Sequence, residues 1–324
     1  MKKIIAMTIT VMMLLAMFSG CGNTETPAAD DNKVYKVGII QLVTHDALDA
    51  ATKGFQDALI AELGEENVKF DPQNAAGDTN TCATIVNSFV ANDVDLIMAN
   101  ATPALQAAAA ATADIPILGT SVTEYGVAMG IADFSGTVGG NVSGTSDLAP
   151  LDKQAAMVKE WFPDAKNVGL LYCSAEPNSQ YQVTTIQAML EELGYTCTPY
   201  PFSDTNDMSA VTQSAADNSD VIYVPTDNTV ASGTGIIDGI CQAAGVPIIA
   251  GEEGICSGCG VATLSISYYD LGVATGKMAA KILTGEADIS TMPIEYAATS
   301  TPKYNAAICE ALGLTAPEGY TPIG

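Results

Sequence analysis

The 324-residue chain exceeds the size at which a single hydrophobic core usually stops growing, so two lobes are the expectation. Its 37 acidic residues face 12 lysines, with arginine absent, for a formal charge of −25 at pH 7. That balance argues against a nucleic-acid partner, because phosphate binding needs a basic stripe; the acidity itself reads as solvated surface.

The first stretch, MKKIIAMTITVMMLLAMFSGCG, carries two lysines, then an apolar run, then small residues leading into Cys21. This is the layout of an export signal rather than of a spanning helix. Its Phe-Ser-Gly-Cys ending resembles a bacterial lipobox, with Phe18 where leucine is usual, which implies that Cys21 is acylated and becomes the new amino terminus. Residues 1–21 are then a lipoprotein signal peptide, and residues 22–33, polar and acidic, a flexible tether at the outer face of a membrane. Ordinary secretion with a free Cys21 thiol is the alternative.

Beyond the tether the chain repeats its own plan. KVGIIQ at 36–41 is an apolar strand followed by the helical pattern AATKGFQDALIAELG, and NVGLLYC at 167–173 is followed by TTIQAMLEELG. VKFDPQNAAGDTN matches YTCTPYPFSDTND, VDLIMANATPALQAA matches SDVIYVPTDNTVASG, and IPILGTS matches VPIIAGE. Gly38 corresponds to Gly169, Gly64 to Gly194 and Pro116 to Pro247, an offset of about 130 residues that suits a duplicated domain. Short apolar strands alternating with longer helices predict, in each half, a parallel sheet covered on both faces. Ligands of such sheets sit beyond the carboxyl ends of the strands. The clusters THDALD, NATP, GTSVTE, SAEPNS, PTDNT and GEEG fall at those ends, so two polar mouths face one cleft.

A chain without arginine must meet an anionic ligand group with backbone N–H groups and hydroxyls at helix starts. Thr102, read as a helix cap before Pro103 and Ala104, offers such a start, as do Ser121, Val122 and Thr123 after the fourth strand. Asp227, followed by Asn228, lies just past a buried strand, where it either takes a ligand ammonium or caps the next helix. Glu176, Asn178 and Ser179 occupy the matching turn of the second half, and Asp147 either touches ligand or orders a hinge. His45 can stack on or hydrogen-bond an aromatic ligand, but as the single histidine it has no relay partner for proton transfer. Leu48 and Tyr125 either form an apolar wall or pack locally, and Trp161 reads as helix packing. With Cys21 set aside, seven cysteines remain, so at least one thiol stays unpaired. Cys256 and Cys259 have C-x-x-C spacing but lack two further zinc ligands nearby; small buried residues or a local disulfide are expected, and no metal. No dinucleotide fingerprint, P-loop or G-x-S-x-G elbow is present, and no cofactor is expected.

The order QLVTHDALD, GFQDAL, NAAGD, ATPALQAA, GTSD, YCSAEPNS, VPTDNTVAS and SISYYDLG resembles the substrate-binding lipoproteins of the ABC transporter family that includes tryptophan and tyrosine binders. The match runs over almost the whole mature chain. It implies an α/β fold of two Rossmann-like lobes with parallel sheets, the type I periplasmic-binding-protein fold. Three hinge crossings are expected near Thr145–Leu148, Val261–Ser265 and Ala298–Lys303. Lobe one then comprises 34–147 and 264–299, lobe two 148–263 and 300–324. The implied role is not enzymatic: an extracytoplasmic, lipid-anchored receptor closes on a small amino acid, aromatic by this resemblance, and delivers it to ABC permease subunits. HDALD and SVTEYGVAM depart from the HPALD and AVTDP patterns of the aromatic binders, which bears on the pocket walls. A receptor for a sugar, nucleoside or signalling ligand feeding a sensor protein is the alternative, and an exported enzyme built on Cys256 and Cys259 a third reading.

Overall fold

In the computed structural model, which describes residues 33–323, the first apolar run is β1 (Tyr35–Gln41) and the pattern after it α1 (Asp46–Leu63). The alternation continues through β2 (Val68–Asn74), α2 (Thr79–Ala91), β3 (Leu96–Asn100), α3 (Thr102–Ala111), β4 (Ile117–Val122), the short α4 (Tyr125–Met129) and β5 (Val142–Ser146). A second series follows: α5 (Leu151–Trp161), β6 (Asn167–Cys173), α6 (Pro177–Glu192), β7 (Thr196–Phe202), α7 (Thr205–Asn218), β8 (Val221–Val224), α8 (Asn228–Ala244), β9 (Ile248–Ala250), α9 (Glu253–Cys259) and β10 (Ala262–Ser265). The chain finishes with α10 (Tyr268–Leu283), β11 (Glu295–Tyr296), β12 (Thr301–Tyr304), α11 (Ala306–Ala311) and β13 (Thr321–Pro322). Cys21, with the export and lipidation expectations, lies outside the described residues.

Two sheets result. The first runs β11-β5-β4-β3-β1-β2, parallel throughout; the second runs β13-β12-β10-β9-β8-β6-β7, parallel except where β10 meets β12. The repeat is visible in the pairing, since β1 lies between β2 and β3 as β6 lies between β7 and β8. Pro72 in β2 and Pro199 and Pro201 in β7 occupy edge strands, where a missing N–H costs no ladder bond. Helices cover both faces of each sheet. In β1, Val37 and Ile39 pack with Phe55, Leu59 and Met278, while Ile40 packs with Val86 and Phe89. In β8, Val221 and Tyr223 face one core, Ile222 and Val224 another. This double burial explains why these strands read as continuous apolar runs.

The chain passes between the sheets after β5, after β10 and after β11. The second passage falls later than the expected Val261–Ser265, because Ala262–Ser265 pair with both β9 and β12 and so remain in the second sheet. The same pairing moves Leu264 and Ser265 out of the segment assigned above to lobe one. On returning, α10 lies directly on α1. A Cβ at Gly272 would stand 2.0 Å from the Ala51 carbonyl oxygen, so only glycine allows this approach. Trp161 packs edge-on against Tyr320 with centroids 5.3 Å apart, the helix-packing role read from its position.

Candidate functional site

The carboxyl ends of both sheets point into the cleft between them, and the predicted residues collect there. On the first sheet, β3 runs into α3 through Ala101, whose φ of 94° is rare for a residue with a side chain. Ala101, not Thr102, is therefore the capping position, and Thr102 is the first helical residue. The one-residue shift matters: the Thr102 hydroxyl makes no cap bond and is buried without a partner. Ser121, at φ 53°, likewise buries an unpartnered hydroxyl at the end of β4. Asn100 adds a third unpartnered oxygen, while its side-chain amide donates to the Leu48 carbonyl at 2.8 Å. Beside them, the Asp147 amide donates to the Val122 carbonyl, and the Ser146 hydroxyl donates to the Thr123 carbonyl at 2.7 Å.

Asp147 is 3% exposed, and its Oδ2 accepts from the Tyr268 hydroxyl at 2.9 Å. Burial raises its pKa, with the Tyr268 and Thr123 hydroxyls opposing that rise. Its other oxygen, Oδ1, has no partner. Of the two readings for Leu48 and Tyr125, the structure shows local packing, in a cluster that includes Ala104 and Val122. They pack within the first sheet's core, where the Tyr125 hydroxyl donates to the Thr145 carbonyl at 3.1 Å.

On the second sheet, Asp227 caps α8: Oδ1 accepts from the Val230 amide at 2.9 Å, and Oδ2 ties down the Cys173 amide at 2.7 Å. Burial, with the Glu176 charge adding to it, pushes its pKa up to about 7. Glu176 accepts from the Asn228 side chain at 2.6 Å and from the Thr229 amide and hydroxyl at 2.8 and 2.7 Å, which locks the start of α8 to the start of α6. Asn178 donates to Glu176, to the Ser179 hydroxyl and to the Thr226 carbonyl, leaving its own carbonyl oxygen buried and unpartnered.

His45 joins the two sides, its Nε2 lying 3.4 Å from the Asn228 Oδ1. Burial lowers its pKa, with the Asn228 bond and nearby carboxylates opposing, so the ring is neutral at neutral pH. A cavity of about 220 Å³ runs between Val43, Gly77 and Pro103 on one side and Cys173, Glu176 and Thr229 on the other. A larger one, about 470 Å³, lies beside the second and third passages, with Asp46, Glu252, Tyr268 and Lys303 among its walls. Glu252 caps α9 through the amides of Gly254 and Ile255.

Sequence reasoning missed Asn100, Glu252 and Tyr268 as members of this region. Asn100 and Glu252 stood in the quoted polar clusters NATP and GEEG, whereas Tyr268 reaches Asp147 across 121 residues of sequence with no local signal. Cys256 and Cys259 are buried in α9, and the seven described cysteines are all free thiols, which resolves the sequence alternatives toward small core residues. Among the described residues, no group of three or more potential ligands could hold a metal ion.

Residues 36–321 match the family model for ABC transporter substrate binding proteins. A tyrosine-binding protein of Clostridioides difficile strain R20291 is 36% identical over 302 residues, covering 90% of this chain and 87% of that one. The crystal structure of an ABC domain in complex with L-Trp from Streptococcus pneumonia shares 35% identity and superposes with a TM-score of 0.85, covering 90% of this chain and 100% of that one. The ligand-free, open structure of a substrate-binding protein with adhesive properties from Clostridium difficile shares 38% identity, but superposes with a TM-score of 0.69, covering 90% and 99%.

Proposed function

Because the chain belongs to the ABC transporter substrate-binding proteins, we propose that it captures an aromatic amino acid, tyrosine or tryptophan, between its two lobes and passes it to an ABC permease. The family is one of solute-binding components that work outside the cytoplasm, not of catalysts. One observation carries the ligand reading. Thr102, Ser121, Asp147 and Asn178, all chosen from the sequence, each bury a side-chain oxygen that has no partner among the described residues. Buried polar groups are costly unless paired, and a ligand carrying both a carboxylate and an ammonium supplies complementary partners. The Thr102 and Ser121 hydroxyls and the free amides of the first turn of α3 suit the carboxylate, in a chain that has no arginine to offer.

The closer likeness to the L-Trp complex than to the ligand-free, open relative supports capture by closure of the lobes, the ligand stabilising the closed state by its differential affinity. An acylated Cys21 followed by the 22–33 tether would keep the receptor at the membrane beside its permease. The test is thermal unfolding of the protein from Gly22 onward against the common amino acids, sugars and nucleosides. Tyrosine or tryptophan at a hundred times its dissociation constant stabilises the fold by about 2.7 kcal/mol, a readily measured shift. Silence from every amino acid with a shift from a sugar or nucleoside overturns the reading.

A further inference from the structure

We infer that Asp147, oriented by Tyr268, is the carboxylate that receives the ligand's ammonium group; this deepens the amino-acid reading above and rests on it. Four buried carboxylates stand near the cleft, and three are committed to the fold. Glu176 holds Asn228 and Thr229 with both oxygens, Asp227 holds one backbone amide on each, and Glu252 holds the amides of Gly254 and Ile255. Asp147 differs. Tyr268 occupies Oδ2, and Oδ1 is buried with no partner.

A buried carboxylate oxygen needs a hydrogen-bond donor or a cation, and an ammonium supplies both at once. Among the described residues, no cation acts on Asp147 at this point. Tyr268, Tyr125 and Glu252 are the titratable groups that interact with Asp147, and Lys303, the lysine nearest in the hinge cavity, is paired with Glu253 at 2.7 Å. An ammonium on the ligand fills the role. The position also suits the other half of an amino-acid head, since the Asp147 amide bonds the carbonyl of Val122, next to the unpartnered Ser121 hydroxyl. Tyr268 is 6% exposed in the first turn of α10 and packs with Ala47, Ala51, Ala149, Ile266 and Leu271, where the chain crosses between sheets. Its hydroxyl donates to Asp147 Oδ2 and orients that carboxylate, which makes it a positioning residue.

Calorimetric titration with L-tryptophan and with its desamino analogue, 3-(indol-3-yl)propionate, tests the assignment. The wild type is expected to prefer the amino acid by about 100-fold, the scale for losing one partner of a buried charge pair. Asp147→Asn brings the two ligands to within about fivefold by weakening L-tryptophan while sparing the analogue, whose retained binding also shows that the variant folds. Tyr268→Phe weakens L-tryptophan by about tenfold, the scale of one hydrogen bond to a charged group, and moves the acid limb of its affinity to higher pH. The direction follows from the lost donor, which had favoured the ionised Asp147. Unchanged discrimination in Asp147→Asn overturns the assignment, and a loss in Tyr268→Phe with the acid limb unmoved overturns the positioning role. Failure of the wild type to bind tryptophan or tyrosine overturns instead the functional reading beneath both.

Discussion

Asp227 illustrates how a residue at a strand end can be taken up by the fold. Its two oxygens hold the Val230 and Cys173 amides, so the carboxylate both caps α8 and fixes the end of β6. Truncation removes a cap, worth about 1 kcal/mol, and strands a buried N–H at about 1 to 3 kcal/mol. Asp227→Ala should therefore lower the unfolding free energy by about 2 to 4 kcal/mol without ligand, seen as a lower urea midpoint at unchanged m-value. Unaltered stability would show that the two amide bonds do not carry this role. The same reasoning separates neighbouring residues. Glu176 and Asp227 bind their own chain, whereas Thr102, Ser121 and Asp147 have bonding capacity left over.

At the scale of elements, the contact between α1 and α10 ties the returning segment to the first sheet. Gly54 and Gly272 let the backbones touch, a Cβ at Gly54 falling 2.1 Å from the Tyr269 carbonyl oxygen. Gly272→Val forces the helices apart and should cost about 1 to 3 kcal/mol or more by overpacking, measurable by chemical denaturation, whereas Gly235→Ala, with open space at its Cβ, should be near neutral. Much of this architecture is legible in the sequence because each signal is local. Apolar runs such as KVGIIQ and NVGLLYC declare strands buried on both faces, and the polar residues after them declare the mouths. What escapes is what distance or backbone strain decides. The cap of α3 sits at Ala101 because that alanine takes a positive φ its identity does not advertise. Tyr268 meets Asp147 only because the second passage brings α10 back.

For the molecule as a whole, buried carboxylates and surface charge together set the response to pH. Burial pushes Asp227 and Glu252 each up to about 7, so between their unfolded values near 4 and about pH 7 the native state binds more protons than the unfolded chain. Their contribution is fully present below about pH 4 and is lost as pH rises through about 7. Asp207 and Asp220 act in the opposite sense. Backbone amides, those of Ser203 and Asp204 for the first and of Asn167 and Lys166 for the second, hold both below the ordinary carboxylate range, so their contribution is lost as pH falls below about 4. His45, lowered by burial, acts against the neutral decline. Ligand-free protein should thus be most stable at about pH 4 and weaken toward neutrality. Self-repulsion at a formal charge of −25 pushes the same way, and added salt tells the two apart by screening surface charge while leaving buried groups largely untouched. A urea midpoint that still falls between pH 5 and 7 in high salt, and falls less steeply in Glu252→Gln whatever that variant's baseline, assigns the slope to the buried groups. A slope abolished by salt and unchanged in Glu252→Gln assigns it to the surface instead.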